Sequence, residues 1–339
     1  MTGKEKLLEF AVRTLGLVNA DDIKLTPLSG RGSDRVFYRL TWNSTHSAIL
    51  IHYDSNRIEN VYYGNIAVFL RDIDVPVPTL LHHDPGQCIV VMEDLGNTDL
   101  WSLRNEPWEI RQKLYKKTLV VIHKLHSFPV QDFLLTGVKL MEPFGPELYK
   151  WEQEYFRDNF VIEVCKIKLQ PTLTKQIDRE LQSLAELIHA MSQSLVHRDF
   201  QSQNVMIRSG EPYLIDFQGM RFGNPFYDLG SLLCDPYVNF SDEQLDELLA
   251  FSYQLTERNI DWEEFQQAFW QASTQRLMQA LGAYGFLGLK KGLTAFLDHI
   301  PAGLVNLQRA ASHVLSLAHL KELLTQCRQC IGFKIKHGI

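Results

Sequence analysis

VHRDFQSQN at residues 196–204, followed by LIDFQ at residues 214–218, is the stretch of this sequence that decides its fold. Asp199 lies two residues after His197, Asn204 comes five residues after Asp199, and a strand-like pair then leads to Asp216. A loop Asp can accept a hydroxyl proton, while Asn and a second Asp offer the hard oxygen ligands that magnesium prefers on nucleotide phosphates. The spacing therefore predicts a phosphoryl-transfer site, with Asp199 as base and Asn204 and Asp216 as metal ligands.

Upstream of this stretch, the first hundred residues alternate short apolar runs with turn residues, which is typical of strands. A helical pattern at residues 56–71 follows the third run and stops at the prolines of VPVP, residues 75–78. This pattern predicts a five-stranded antiparallel sheet with one inserted helix. The predicted strands cover residues 23–28, 36–42, 48–53, 79–83 and 88–92.

Beyond Gly96 the pattern changes to long amphipathic helices, interrupted by strand character at residues 205–207 and 213–217. The fold class is therefore α+β. We place the boundary at residues 93–96, which divides the chain into an N-terminal unit, 1–95, and a mainly helical C-terminal unit, 96–339. The first three predicted helices of the second unit cover residues 107–128, 147–160 and 173–193.

A glycine-containing turn, LSGRGSDR, lies between the first two predicted strands. Gly30 and Gly32 would let backbone amides approach a phosphate, and the Ser33 hydroxyl could donate to it. A Gly-x-Gly pair is more often a plain turn. Its place ahead of the 196–204 loop makes a phosphate-covering role credible.

The composition limits the classes of molecule that the protein could bind. Hydrophobic residues make up 45% and charged residues 22%, as in ordinary globular proteins, and the net charge is −6. Nucleic-acid-binding domains are usually basic, so this charge balance gives no indication of nucleic-acid binding. We find no secretory signal and no apolar stretch long enough for a membrane span. Five scattered cysteines do not form a disulfide framework, so we expect a protein of the reducing cytoplasm. The net charge does not exclude a small anionic ligand.

The chain resembles the aminoglycoside phosphotransferase/choline kinase superfamily, the small-molecule branch of the protein-kinase-like fold. HRDFQSQN stands where protein kinases have HRDLxxxN, and no activation loop follows IDFQ. Within the superfamily the nearest resemblance is to the anomeric kinases of N-acetylmuramate and N-acetylglucosamine. It is carried by HRDFQSQNVM with IDFQGMRFGNPFYDLGSLLCDPY, and by ELYKWEQEYF and TQRLMQALGAY.

The resemblance implies a bilobal fold, ATP and Mg²⁺ as cofactors, and a sugar hydroxyl as acceptor. It also implies roles for individual residues. His197 would support the loop, Asp228 would anchor it from the following helix, and the backbone at Glu93 and Leu95 would bind the adenine edge.

The third predicted strand departs from the superfamily, because it lacks the lysine that most members use to hold the α- and β-phosphates. His52 stands there in our alignment. The sugar-kinase subgroup also tends to lack this lysine. Arg35 and Arg39 are candidates to supply the missing positive charge.

The sequence identifies the acceptor of the phosphoryl group less closely than it identifies the catalytic residues. Residues 265–310 carry Arg276, two lysines and Arg309 against one aspartate, which does not suit a polycationic aminoglycoside. Arg276 and, by stacking, Trp151 are candidate substrate residues. A choline/ethanolamine or aminoglycoside-type kinase remains an alternative, as does a nucleotide-binding pseudokinase that serves as an interaction module. We expect a monomer or a weak homo-oligomer.

Overall fold

The N-terminal part is built around a twisted antiparallel sheet. The computed structural model describes residues 3–17, 20–28, 35–256 and 260–337. The sheet has the order β1-β2-β3-β5-β4, and every neighbouring pair is antiparallel. The predicted five-stranded sheet is therefore confirmed. The strands are β1 Lys24–Leu28, β2 Val36–Trp42, β3 His46–His52, β4 Leu80–Asp84 and β5 Ile89–Glu93.

Two helices cover the two faces of this sheet. The first, α1 (Gly3–Thr14), packs Phe10 and Ala11 against the outer face in a small separate core. The second, α2 (Ile58–Asp72), is the helix predicted after the third strand, and it lies on the inner face. Its Tyr63 stacks on Phe217 with ring centroids 4.7 Å apart, which joins the sheet to the segment carrying Asp216.

The rest of the chain is mainly helical, as predicted, and two short β-ribbons lie among the helices. One ribbon pairs β6 (Ser194–Val196) with β9 (Arg221–Gly223), and the other pairs β7 (Val205–Arg208) with β8 (Glu211–Leu214). The helices are α3 Trp108–His126, α4 Val130–Thr136, α5 Pro146–Phe156, α6 Pro171–Ala190, α7 Pro225–Leu233, α8 Asp242–Leu255, α9 Trp262–Gly285, α10 Ile300–Ser312 and α11 Ala318–His337. None of the helices within the described ranges is both long enough and apolar enough to cross a bilayer.

Helix α9 is the central element of this part, and its contacts with α7 and α5 are close. At Gly230 of α7, an added Cβ would lie 2.6 Å from Ser273 Oγ and 2.8 Å from Ser273 Cα. At Gly285 of α9, it would lie 2.3 Å from Asn159 O, in the π-helical turn that continues α5 over Arg157–Val164. Glycine is therefore required where the helices meet.

We expect Gly230→Ala to lower the free energy of unfolding by about 1–3 kcal/mol, because α7 must move away from α9 to accommodate the methyl group. Gly332→Ala is the matched control, since Gly332 lies inside α11 with no atom near its Cβ position. That control should leave the stability unchanged or slightly higher. Thermal unfolding of both variants measures the difference, and equal melting temperatures would contradict the packing argument.

Candidate active site

The candidate catalytic loop runs between the two β-ribbons. It leaves β6 at His197, passes through a 3₁₀ turn at Ser202–Asn204 and enters β7. The β7–β8 hairpin then returns the chain, so that the Ile215 N–H donates to the Asn204 carbonyl at 3.0 Å. This return places Asp216 beside Asn204, although twelve residues separate them along the chain.

A buried carboxylate holds the start of the loop. Asp228 of α7 has no exposed surface, and its two oxygens accept the backbone N–H groups of His197 at 2.7 Å and Arg198 at 2.8 Å. His126 Nε2 lies 3.0 Å from the same carboxylate. The His197 ring in turn lies 2.9 Å from the Ile215 carbonyl, which ties the loop to the segment ahead of Asp216. The contacts of His197 and Asp228 are those that a supporting residue and a loop anchor would make.

The carboxylate of Asp199 lies between two arginines. Its Oδ2 is 3.0 Å from Arg198 and its Oδ1 is 3.6 Å from Arg276, while 28% of the side chain stays exposed. Asn204 donates its amide Nδ2 to the Asp199 carbonyl at 2.9 Å. That bond orients Asn204 and leaves its amide oxygen for another partner.

The neighbours of Asp216 keep its carboxylate ionised. Its carboxylate forms an ion pair with Arg35 and accepts a hydrogen bond from Gln218 at 2.9 Å. Burial alone would raise the pKa of Asp216, but the attraction and hydrogen bond of Arg35 outweigh burial and, with Gln218, lower the pKa to about 2. The carboxylate is therefore ionised at neutral pH.

These donors fit a magnesium ion better than a transition metal. Asn204 and Asp216 offer one amide oxygen and one carboxylate, which are hard oxygen ligands. The described residues contain no group of three or more His, Cys, Asp or Glu side chains that could enclose a metal. An ion bound at Asn204 and Asp216 would need further oxygens from phosphates and water, as Mg²⁺ does in phosphoryl-transfer sites.

A cleft of about 470 Å³ separates the sheet from the catalytic loop. Arg35, Asn204 and Asp216 line one end of it, and Arg39, with residues 93–97, lines the other. Ile49 and Ile51 of β3 form part of the apolar wall between these ends. The cleft is large enough and has the mixed polarity expected for a small-molecule site.

The segment predicted to bind an adenine edge is fixed by its side chains. Glu93 accepts from Thr79, at 3.1 Å from the backbone N–H and 2.8 Å from the hydroxyl, and forms an ion pair with Arg208. Leu95 is buried and lines the cleft. Glu93 and Leu95 therefore line the cleft, and their backbone contacts with an adenine edge stay a prediction.

Arg39 and Arg35 lie at opposite ends of the cleft. Arg39 Nε is 2.6 Å from Asp94 Oδ2, and its NH2 group donates to the Gly96 carbonyl at 3.1 Å. Arg35 is the arginine next to Asp216. Arg35 therefore lies at the Asp216 end of the cleft, while Arg39 ties β2 to the segment after β5. A contact of either arginine with bound phosphates stays a prediction.

We expect Arg39→Ala to raise the KM for ATP about threefold to tenfold with little change in kcat, because the loosened segment would bind the nucleotide less well without affecting the reacting groups. Steady-state kinetics with varied ATP measures this. Arg71→Ala is the control, since Arg71 is 57% exposed and pairs only loosely with its neighbour Asp72. An unchanged KM for Arg39→Ala would contradict this role.

The assignment of His52 to the missing lysine is wrong. Side chains alternate along a strand, and Ile49 and Ile51 of β3 face the cleft. His52 belongs to the opposite register, with Ala48 and Leu50, whose side chains pack in the outer core. The cleft-facing position at the end of β3 is therefore Ile51, and β3 contributes no cation to the cleft.

The remaining predicted site residues are those of the glycine-containing turn and Trp151. Gly30, Gly32 and Ser33 lie outside the described residues, so their phosphate-covering role stays a prediction. Trp151 is 51% exposed and stacks on Tyr155. No contact among the described residues joins Trp151 to Asp199 or Arg276.

Four site residues are missed by the sequence patterns. Gln218 contacts Asp216, and Arg198 contacts Asp199. Glu152 of α5, 2% exposed, accepts from Tyr227 at 2.9 Å and from Gln275 at 3.0 Å next to Arg276. Arg221 begins β9. The one available signal was the position of Arg198, Gln218 and Arg221 within or directly after the two motifs.

Relatives in sequence share nearly the whole chain. An N-acetylmuramate/N-acetylglucosamine kinase of Neisseria meningitidis serogroup B is 25% identical over 311 residues, which is 90% of this chain and 91% of that protein. A protein of the same name from Pseudomonas putida is 21% identical over 308 residues, covering 89% of this chain and 88% of that protein.

Solved structures share the fold. A choline/ethanolamine kinase family protein from Mesorhizobium loti superposes with a TM-score of 0.62 over 96% of this chain and 99% of that chain, at 14% identity. The streptomycin–ATP–APH(2")-IIa ternary complex gives 0.59 over 86% of this chain and 92% of that chain, at 15% identity. These similarities confirm the α+β, kinase-like fold.

The profile of a protein family also matches the chain directly. It is the phosphotransferase enzyme family, and the match spans residues 24–267. This range contains β1 to β9 and every residue of the catalytic loop. Since the match covers more than two thirds of the sequence, the chain belongs to the phosphotransferase enzyme family.

Proposed function

We propose that the protein is an ATP- and Mg²⁺-dependent small-molecule kinase that phosphorylates N-acetylmuramate or N-acetylglucosamine at the anomeric hydroxyl. The observation that carries the proposal is the grouping of Asp199 and Asn204 of the catalytic loop with Asp216, which follows the β7–β8 hairpin, beside the cleft. The whole-length similarity to curated kinases of these two sugars supports the choice of acceptor.

The nucleotide would lie in the cleft between the sheet and the loop. Its adenine edge would meet the backbone at Glu93 and Leu95, and its phosphates would point toward Arg35 and Asp216. Mg²⁺ held by Asn204 and Asp216 would neutralise phosphate charge. A protein of the same fold binds ATP together with streptomycin, which supports ATP as the donor.

Asp199 would act on the acceptor. Its carboxylate takes the proton of the sugar hydroxyl as that oxygen bonds to the γ-phosphorus, and the bond from phosphorus to the β–γ bridging oxygen breaks. Arg198 and Arg276 hold the carboxylate in a fixed position. The anchoring of the loop by Asp228 keeps Asp199 aligned without movement of the backbone.

The charge around Asp199 argues against the alternative acceptors. Choline and aminoglycosides are cations, and a site for them needs acidic or aromatic groups facing the ligand. Arg198 and Arg276 contact Asp199 instead. A neutral or anionic sugar is therefore the better fit.

An acceptor panel tests the proposal. The protein is incubated with Mg²⁺ and ATP and with N-acetylmuramate, N-acetylglucosamine, choline or an aminoglycoside, and the products are read by ³¹P NMR. We expect a sugar 1-phosphate signal with the first two only. Turnover of choline, or nucleotide binding without phosphorylation of any acceptor, would overturn the proposal in favour of another alcohol kinase or a pseudokinase.

A further inference from the structure

Arg221 is a buried cation without a counterion in the described chain. It is 7% exposed, its Nε donates to the Gly219 carbonyl at 3.3 Å, and its guanidinium lies 5.0 Å from the centroid of the Phe144 ring. No carboxylate among the described residues forms an ion pair with it. Burial and then the nearby charge of Arg198 lower the pKa of Arg221. A buried charge left in this state is costly unless a ligand compensates it.

The carboxylates near Arg221 are already engaged elsewhere. Glu152 receives hydrogen bonds from Tyr227 and Gln275, and burial raises its pKa against those bonds. Asp199 is shared by Arg198 and Arg276. Neither acid forms an ion pair with Arg221 in the described part of the chain.

Arg221 belongs to the acceptor side of the site. Its Nε donates to the Gly219 carbonyl, and a Cβ added at Gly219 would lie 3.3 Å from Arg198 Cδ and 3.6 Å from Arg198 NH1. Gly219 therefore brings Arg221 beside the arginine that contacts Asp199. The neighbouring Arg198 side chain is 28% exposed, so a ligand that reaches Asp199 can contact it as well. Two adjacent guanidinium groups are suited to a planar, doubly hydrogen-bonded anion such as a carboxylate.

We propose that Arg221, together with Arg198, binds a carboxylate carried by the acceptor sugar, so that the enzyme favours a carboxylate-bearing amino sugar over its uncharged counterpart. This inference rests on the proposed function. It assigns the specificity between the two proposed acceptors, since N-acetylmuramate carries a lactyl carboxylate that N-acetylglucosamine lacks.

The first test uses the wild-type protein alone. We compare kcat/KM for N-acetylmuramate, for its lactyl carboxamide and for N-acetylglucosamine. A hydrogen-bonded ion pair to a charged group contributes enough binding for about a tenfold to hundredfold preference for the acid. Equal kcat/KM for the acid and the amide would overturn the inference while leaving the proposed function intact. If neither sugar is phosphorylated, the proposed function fails and this inference fails with it.

The second test assigns the preference to the residue. Arg221→Gln should lower kcat/KM for N-acetylmuramate about tenfold to hundredfold, to the level of the amide, with N-acetylglucosamine changed less than threefold. Retained turnover of N-acetylglucosamine also reports that the variant is folded. Arg221→Lys should restore part of the preference, because it keeps the charge but not the paired donors.

The matched control is Arg71→Gln, the same change at an exposed position of α2. It should leave all three substrates unaffected. Equal loss for both sugars in Arg221→Gln, or an undiminished preference for the acid, would overturn the assignment of Arg221.

Discussion

Asp199→Asn is expected to lower kcat about 10²–10⁴-fold while the dissociation constant for ATP changes less than threefold. The amide cannot accept the hydroxyl proton, and general-base catalysis contributes a factor of this size. The Asp199 carbonyl still accepts the bond from Asn204, so the geometry of Asn204 and Asp216 is preserved. Single-turnover kinetics with N-acetylmuramate and nucleotide binding by calorimetry measure the two effects separately.

Asp242→Asn is the control for this variant. Asp242 begins α8, is 81% exposed and pairs with Arg309, which places the same chemical change at the surface. Its kcat should equal that of the wild type. If Asp199→Asn retained full kcat, Asp199 would not be the base, and a parallel loss of ATP binding would assign it to the nucleotide site instead.

Most of the sheet could be predicted because its strands have local signatures. Alternation and turn residues place all five within about two residues of their observed ends.

The helices were predicted less completely than the strands. Helix α1 is missed, because a helix of twelve residues is marginal alone and is stabilised here by packing on the sheet. The helix predicted at residues 147–160 ends earlier, at Phe156, where the chain changes to a π-helical turn. That turn lies against Gly285 of α9, a contact distant in sequence.

The candidate site likewise contains residues that could be predicted from the sequence and residues that could not. His197, Asp199, Asn204 and Asp216 lie within twenty residues, and a fixed spacing on one loop and one hairpin is visible in the sequence. Arg276 reaches Asp199 only through the packing of α9, so its sequence signal was a local excess of basic residues. His52 was misplaced by one residue, and a shift of one residue in a strand moves a side chain to the opposite face.

Asp228→Ala is expected to lower the free energy of unfolding by about 3–5 kcal/mol, the range seen when one member of a buried charged network is removed. The substitution leaves the N–H groups of His197 and Arg198 without acceptors, and it removes the partner of His126. Differential scanning calorimetry should show a melting temperature lower by about 10 °C.

The same substitution separates loop anchoring from general stability. Asp242→Ala removes an exposed carboxylate and should change the unfolding free energy by less than about 0.5 kcal/mol. At a temperature where Asp228→Ala is fully folded, kcat should still fall, because Asp199 is displaced from the position that Arg198 and Arg276 maintain. Wild-type kcat in a folded but destabilised Asp228→Ala would show that the buried carboxylate stabilises the fold without positioning the base. Loss of both stability and kcat would mean that one buried anion performs both tasks.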